Sequence, residues 1–380
     1  MDPKETVKKL LAVAEPEETV VTLTLGLAKS AVLPPATRVF LKNRVPSHLL
    51  SQARPLPVQE KLRKLARRIQ EYVDRGRPPG AAGLFLVAGA KVWEPVPLQV
   101  PLRNFVAVGR TPYLAPLLEA VARSPRAYRV EMDPQGARIE EIRLGEARIV
   151  GEFEAADAGG RRAASKKTGY PGRGGAERDM RQRHAEEVAR ALLRQAAAAL
   201  GRMDPDAVAV YFTGRREHFR AFQEELPAAL RERAFPAADL AAAFRDLEGR
   251  SIGRARQEIG EFHVHREQGH LTALGPRDVL EHLYEGKVAR IYLDAEDPVP
   301  GVVCTACGTR FPGLVERCPF CSEEVTSTSI TQEVVAYALA NPPLALTFVP
   351  PGTGWLRDLD GMAAVLSRKG ARRKTVAAGR

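Results

Sequence analysis

The chain has 380 residues, of which 44% are hydrophobic and 27% charged, and it carries a formal net charge of +11. That composition excludes a wholly disordered or fibrous protein, and the length predicts two or three domains rather than one core. No window approaches ~18 consecutive apolar residues, which argues against a membrane span, and the acidic start Met1-Asp2-Pro3-Lys4-Glu5 lacks the apolar segment of a signal peptide.

The first third reads as mixed α/β. Val20-Val21-Thr22-Leu23-Thr24-Leu25 is a β-branched run suited to a strand. Val58, Leu62, Leu65, Ile69 and Val73 recur at helical spacing, with Lys61, Arg63, Lys64, Arg67 and Arg68 largely off that face. Asp74-Arg75-Gly76-Arg77-Pro78-Pro79-Gly80 stops the helix, and Gly83–Val87 predicts a buried strand. The next stretch is punctuated by Pro95, Pro97, Pro101, Pro112 and Pro116, and reads as an irregular edge ending the domain near Ser124-Pro125.

Three short strands are expected next, over Tyr128–Met132, Ala137–Leu144 and Arg148–Phe153, the first two joined by a turn at Asp133-Pro134-Gln135-Gly136. The Gly-, Ala- and Arg-rich stretch from Ala155 to Gly175 cannot build a core and reads as an exposed, mobile loop. A long helix follows over about Glu177–Leu200, with Val188, Leu192, Ala196 and Leu200 on one face. Val208–Phe212 predicts a strand, and a short helix is expected after Gly214. The last third predicts a charged helix, a short strand at His270–Thr272, a helix over Arg277–Tyr284 and a strand over Val288–Leu293. A helix over Glu333–Leu339 and a strand over Leu344–Val349 complete it. The expected domains are therefore 1–124, 125–240 and 241–380.

Charge is unevenly spread. Residues 161–184 hold eight basic residues against two acids, and residues 361–380 hold six and no acid. Positive charge confined to two short segments points to a polyanion, of which nucleic acid is the commonest. The loop Gly169-Tyr170-Pro171-Gly172-Arg173-Gly174-Gly175-Ala176 fits neither the Rossmann nor the Walker spacing. On physical grounds it is a basic loop at a helix N-terminus, where free amides can meet phosphates. No GxSxG, no Cys–His nucleophile pair and no recognisable carboxylate dyad supports a conventional hydrolase or transferase.

All four cysteines fall in Cys304-Thr305-Ala306-Cys307-Gly308 and Cys318-Pro319-Phe320-Cys321. A disulfide framework for a chain of this size needs more, so a reducing cytoplasm is expected. Paired CxxC knuckles let four thiolates converge on one structural zinc ion, in a ribbon over about residues 301–325, with Gly308 supplying a positive φ. Four sulfur ligands leave no open position for catalysis. His263 and His265 could also ligate a metal from one face of a strand, although no carboxylate or HExxH pattern accompanies them.

These pieces resemble the archaeo-eukaryotic class-one peptide-chain release factors and Pelota, and more closely the bacterial branch of that superfamily, which includes hibernation factors of the Balon type. Lys167-Thr168-Gly169-Tyr170-Pro171-Gly172-Arg173-Gly174-Gly175-Ala176, followed by Arg178, Arg181 and Arg183-His184, is similar to the family's K-x-G-x-x-G-R-G-G-Q loop and its Arg-rich helix. Glu94-Pro95-Val96-Pro97-Leu98 resembles a segment late in the family's N-terminal domain. Gly286, Val288 and Ile291, and Gly361-Met362-Ala363-Ala364-Val365-Leu366-Ser367-Arg368, resemble the start and end of its C-terminal domain. The ribbon sits where some members carry a minidomain.

The resemblance implies three α/β domains in a tRNA-mimicking arrangement, acting as a cytoplasmic monomer in the ribosomal A site. Its implied partners are 16S and 23S rRNA and a translational GTPase such as elongation factor Tu, with no membrane. Lys166, Lys167, Arg173, Arg178, Arg181, Arg183 and His184 are the implied RNA contacts, and Gly174, Gly175 and Ala176 the counterpart of the catalytic loop. Two departures qualify this. Ala176 stands where the family has the glutamine that helps orient water at the peptidyl-tRNA ester, so the backbone amide remains and the side chain is lost. No N-I-K-S loop lies between Thr37 and Leu62, and Val106-Ala107-Val108 stands at the place of the family's Y-x-C motif. A hibernation factor that reads no codon and leaves peptidyl-tRNA intact is expected. A codon-independent rescue enzyme and an RNA-binding or RNA-modifying protein that only borrows the fold are the alternatives.

Overall fold

A computed structural model describes residues 3–14, 19–29, 32–50, 55–76, 78–155, 174–203, 207–269, 271–295, 297–350 and 352–367. They form two compact units, one of residues 1–123 with 252–380 and one of residues 124–251. Both are mixed α/β. No helix among the described residues is long and apolar enough to cross a membrane.

In the first unit, helix α1 (Pro3–Leu11) precedes strand β1 (Val20–Gly26). Helix α2 (Pro35–Val39) runs through a π-helical turn, Phe40–Arg44, into α3 (Val45–Leu49). Helix α4 (Leu56–Glu71) follows and ends in a second π-turn, Tyr72–Gly76. Its predicted apolar face is realised: Leu62, Leu65, Ile69 and Val73 are buried against Leu23, Leu25, Leu84 and Leu86, while the five basic residues are exposed.

Strands β2 (Gly83–Ala88), β3 (Trp93–Leu98) and β4 (Phe105–Gly109) complete an antiparallel sheet of order β3-β2-β1-β4. The alternation in β1 divides its faces. Val21, Leu23 and Leu25 enter the core, and on the other face Thr24 donates to the Arg103 carbonyl at 2.6 Å while Thr22 accepts from the Tyr113 amide at 2.9 Å. Gly26 and Gly83 are paired across the strands, and a Cβ would come within 2.6 Å of the Leu102 carbonyl at Gly26 and 2.5 Å of the Val100 carbonyl at Gly83. Both must be glycine for that segment to cross the sheet.

The proline-punctuated stretch is more regular than its sequence predicts. It holds two strands and helix α5 (Ala115–Arg123). Pro95 and Pro97 are tolerated because β3 is an edge strand: two residues apart, their missing N–H groups share the outer side, where no strand pairs.

The second unit is a five-stranded sheet of order β7-β6-β5-β8-β9. Strands β5 (Ala127–Met132), β6 (Gly136–Arg143) and β7 (Glu146–Glu154) form the expected meander. The Asp133 carboxylate accepts from the amides of Gln135 (2.7 Å) and Gly136 (2.9 Å), closing the first turn. Helix α6 (Gly174–Leu200) covers one face, burying Leu193, Ala196, Ala197 and Leu200 on Val130, Ile139, Val210 and Phe212. Strand β8 (Val210–Thr213), helices α7 (Arg216–Glu225) and α8 (Ala228–Arg231), and strand β9 (Ala234–Pro236) follow, with β5, β8 and β9 parallel.

Helix α9 (Leu240–Glu267) carries the boundary between the units, after Ser251. Its first half buries Ala243 and Leu247 on the other face of this sheet, against Ala127, Ile142, Ala209 and Tyr211. Its second half buries Ile259 and Phe262 in the first unit. There β10 (Thr272–Leu274), α10 (Gly275–Tyr284), β11 (Val288–Leu293), β15 (Ala345–Phe348) and β16 (Met362–Leu366) form a sheet of order β10-β16-β11-β15. Between β11 and β15 come β12 (Pro300–Cys304), β13 (Arg310–Pro312), β14 (Val325–Ser329) and α11 (Ile330–Ala340). The three strands make a separate antiparallel sheet of order β13-β12-β14.

Candidate metal centre and basic helix

The four cysteines converge. Cys304 ends β12, Cys307 lies in the turn that follows, and Cys318 and Cys321 come from the second knuckle. Their sulfurs lie within 4.8 Å of one another, with Cys304 to Cys321 at 3.4 Å and Cys307 to Cys318 at 3.6 Å. Four thiolates on one zinc ion at 2.3 Å would stand about 3.8 Å apart, so the donor set fits a tetrahedral cation.

The two knuckles repeat one hydrogen-bond scheme. The Gly308 amide donates to the Cys304 carbonyl (3.1 Å) and the Ser322 amide to the Cys318 carbonyl (2.8 Å). The Cys304 amide donates to the Thr309 carbonyl and the Cys318 amide to the Glu323 carbonyl, both at 2.9 Å. Each turn closes through a left-handed residue, Gly308 at φ 70° and Ser322 at φ 62°. The sequence marks the first with glycine and hides the second behind a serine, which is strained there.

Without a cation the thiols compete for protons. Hydrogen bonds from the Thr309 hydroxyl and backbone, and then from Cys304 and Cys318, hold Cys307 down at about 6. At Cys321 the Glu323 backbone hydrogen bond lowers the pKa, but the neighbouring thiols and burial outweigh it and push it up to about 12. A divalent cation removes that conflict by favouring all four thiolates at once.

The ribbon is anchored from outside its own sheet. Arg310 pairs with Glu333 at 2.6 Å, and the Thr328 hydroxyl donates to the other oxygen of that carboxylate at 3.0 Å. Sequence reasoning missed both interactions; their signal is the acid in the first turn of α11, set against an arginine just past the first knuckle.

His263 and His265 do not form a metal site. They lie on helix α9, where residues two apart point in nearly opposite directions, and the His263 ring packs on Trp355 at 5.3 Å. Among the described residues, the four cysteines are the group able to hold a metal.

Lys166, Lys167 and Arg173 lie outside the described residues, as does the 161–176 loop up to position 173. Helix α6 begins at Gly174, three residues earlier than expected, so Gly174, Gly175 and Ala176 form its first turn. Acids at Glu177 and Asp179 favour a helix start here, and amides of a first helical turn have no intrahelical acceptor. Arg178 and Arg181 belong to the same helix, and Arg183 and His184 are exposed on it.

Residues 112–250 match the family model of bacterial archaeo-eukaryotic release factor family 10. No curated protein matches the chain. Among solved structures, the archaeal translation termination factor aRF1 is similar at 14% identity, over 96% of each chain, with a TM-score of 0.25. Dom34 of S. cerevisiae, a translation termination-like factor described as interacting with Hbs1, is similar at 11% identity over 73% of each chain, with a TM-score of 0.39. Archaeal Pelota, described bound to the ribosome with ABCE1, is similar at 12% identity over 97% of this chain and 94% of its own, with a TM-score of 0.37. At TM-scores this low the likeness carries no argument about function. Residues 112–250, which hold the meander, the Gly-Gly-Ala segment and the basic helix, are thus the part of the chain that is similar to the bacterial archaeo-eukaryotic release factors.

Proposed function

We propose that the protein is a ribosome-binding, release-factor-like translation factor that occupies the A site without reading a codon and leaves peptidyl-tRNA intact. The observation that carries this reading is the family match over residues 112–250, which includes the basic run and ends its Gly174-Gly175 pair on Ala176. The charge of that run suits rRNA phosphates, and a salt-sensitive attachment follows from it. The missing glutamine side chain removes one positioning group for water, an effect worth ~2–4 kcal/mol of barrier or about two to three decades of rate.

In this reading residues 1–124 face the decoding centre, residues 125–240 carry the basic loop toward the peptidyl-transferase centre, and residues 241–380 contact the ribosome or a GTPase such as elongation factor Tu. Zinc is the cation assigned to the four cysteines. The test is a release assay on purified 70S ribosomes carrying peptidyl-tRNA, with wild type and Ala176→Gln side by side. Wild type is expected to co-sediment with the ribosomes and release nothing. Release by wild type favours the rescue reading, in which the Ala176 amide suffices; absence of binding overturns both.

A further inference from the structure

The most exposed large hydrophobic side chains among the described residues both belong to the cysteine ribbon: Leu314 at 81% and Phe320 at 76%. Phe320 is not loose. Its ring stacks on Phe311 at 5.7 Å with an interplanar angle of 28°, so one face is held and the remainder is presented outward. A side chain ordered in advance loses little freedom on binding, which favours an anchor role.

The charge around this tip has the opposite sign to the rest of the chain. Residues 300–329 contain two cations against three acids; Arg310 is half-buried, and Arg317 is exposed with its guanidinium held to the ribbon's own backbone. Arg310 reaches Glu333 and the Gly308 carbonyl (3.1 Å), and Arg317 donates to the Ser322 carbonyl at 3.2 Å. Glu316, Glu323 and Glu324 are exposed and enter no ion pair among the described residues. Four thiolates around a divalent cation would add about two further negative charges. The result is an apolar, aromatic tip with an anionic rim on a chain of net charge +11.

Resting on the ribosome-binding reading, we propose that this tip docks on a protein, an apolar cleft rimmed by lysine and arginine, and not on rRNA. The ribosome offers both chemistries, phosphate backbone and the basic surfaces of its proteins. Aromatic residues of zinc knuckles can stack on bases, but such sites need cations for the neighbouring phosphates, and here three exposed carboxylates stand against the one exposed cation, Arg317. An apolar anchor with a charged rim is the anatomy of a protein interface, in which rim charges steer and select the partner.

The sign of a charge effect decides between the two. Affinity for purified 70S ribosomes is measured for wild type, for the triple variant Glu316→Gln, Glu323→Gln, Glu324→Gln, and for Phe320→Ala and Leu314→Ser separately. Metal content is determined for each, to establish that the ribbon is intact. The triple variant is expected to bind about three- to tenfold more weakly at low salt, and each apolar truncation about tenfold more weakly with metal content unchanged. Tighter binding by the triple variant would mean that the rim faces phosphate, and overturns the proposal. Unchanged affinity in all three variants overturns it as well. Failure of wild type to bind ribosomes overturns the underlying reading instead, and is seen before any variant is compared.

Discussion

The backbone amide of Leu114 donates to the carboxamide oxygen of Gln332 at 2.8 Å, a buried hydrogen bond between residues 218 positions apart. Leu114 immediately precedes α5, whose first amides lack intrahelical partners, and Gln332 stands in the first turn of α11. A helix from the beginning of the chain is thus capped by a side chain from near its end, within one compact unit. Gln332→Leu leaves that amide unpaired in the interior and is expected to cost about 1–3 kcal/mol. Urea unfolding followed by circular dichroism measures it, and an unchanged midpoint would show that the amide finds another acceptor.

The cysteine centre predicts one tightly held divalent ion per chain, zinc by elemental analysis. Ligation requires thiolates, so acidification releases the ion, and the release is read with a colorimetric chelator. Cys318→Ser, at a buried ligand, should abolish retention and raise hydrogen exchange across Pro300–Ser329, while the sheet of β5 to β9 stays protected.

Glu258 supplies a pH dependence. Burial raises its pKa, but the Thr347 hydroxyl at 2.7 Å and the Arg290 guanidinium at 2.5 Å outweigh burial and hold it below the ordinary carboxylate value. A carboxylate depressed by folding stabilises the native state above its unfolded pKa, and the contribution is lost as pH falls through the folded one. Stability should therefore decline below about pH 4.5, and Glu258→Gln should flatten that acid limb while lowering stability at neutral pH. Thermal melts across pH 3 to 7 test it; parallel curves for the two proteins would refute the assignment.

Replacing Arg173, Arg178 and Arg181 together with glutamine is expected to weaken ribosome binding and to make it less sensitive to salt. Each phosphate left without its arginine reduces the slope of log affinity against log salt by about 0.7 to 0.9, so the triple substitution lowers it by about two. An unchanged slope would contradict the role given to the basic helix and loop.

What the sequence by itself determined is what neighbours along the chain can encode. The run from Val20 to Leu25 had to be extended, the spacing from Val58 to Val73 had to lay one apolar face on a core, and two CxxC knuckles carried their own geometry. Those signals are periodicity and local backbone preference, which need no distant partner. The residues of the basic helix were legible for the same reason, as composition. Only the tertiary structure decided that Pro95 and Pro97 occupy a strand, because that depends on which side of β3 goes unpaired. It also decided that His263 faces Trp355 and no metal, that a serine closes the second knuckle in the left-handed region, and that Gln332 caps a helix through Leu114, 218 residues earlier. Each of these is set by an interaction across space, and the energy that selects it is absent from any short window of sequence.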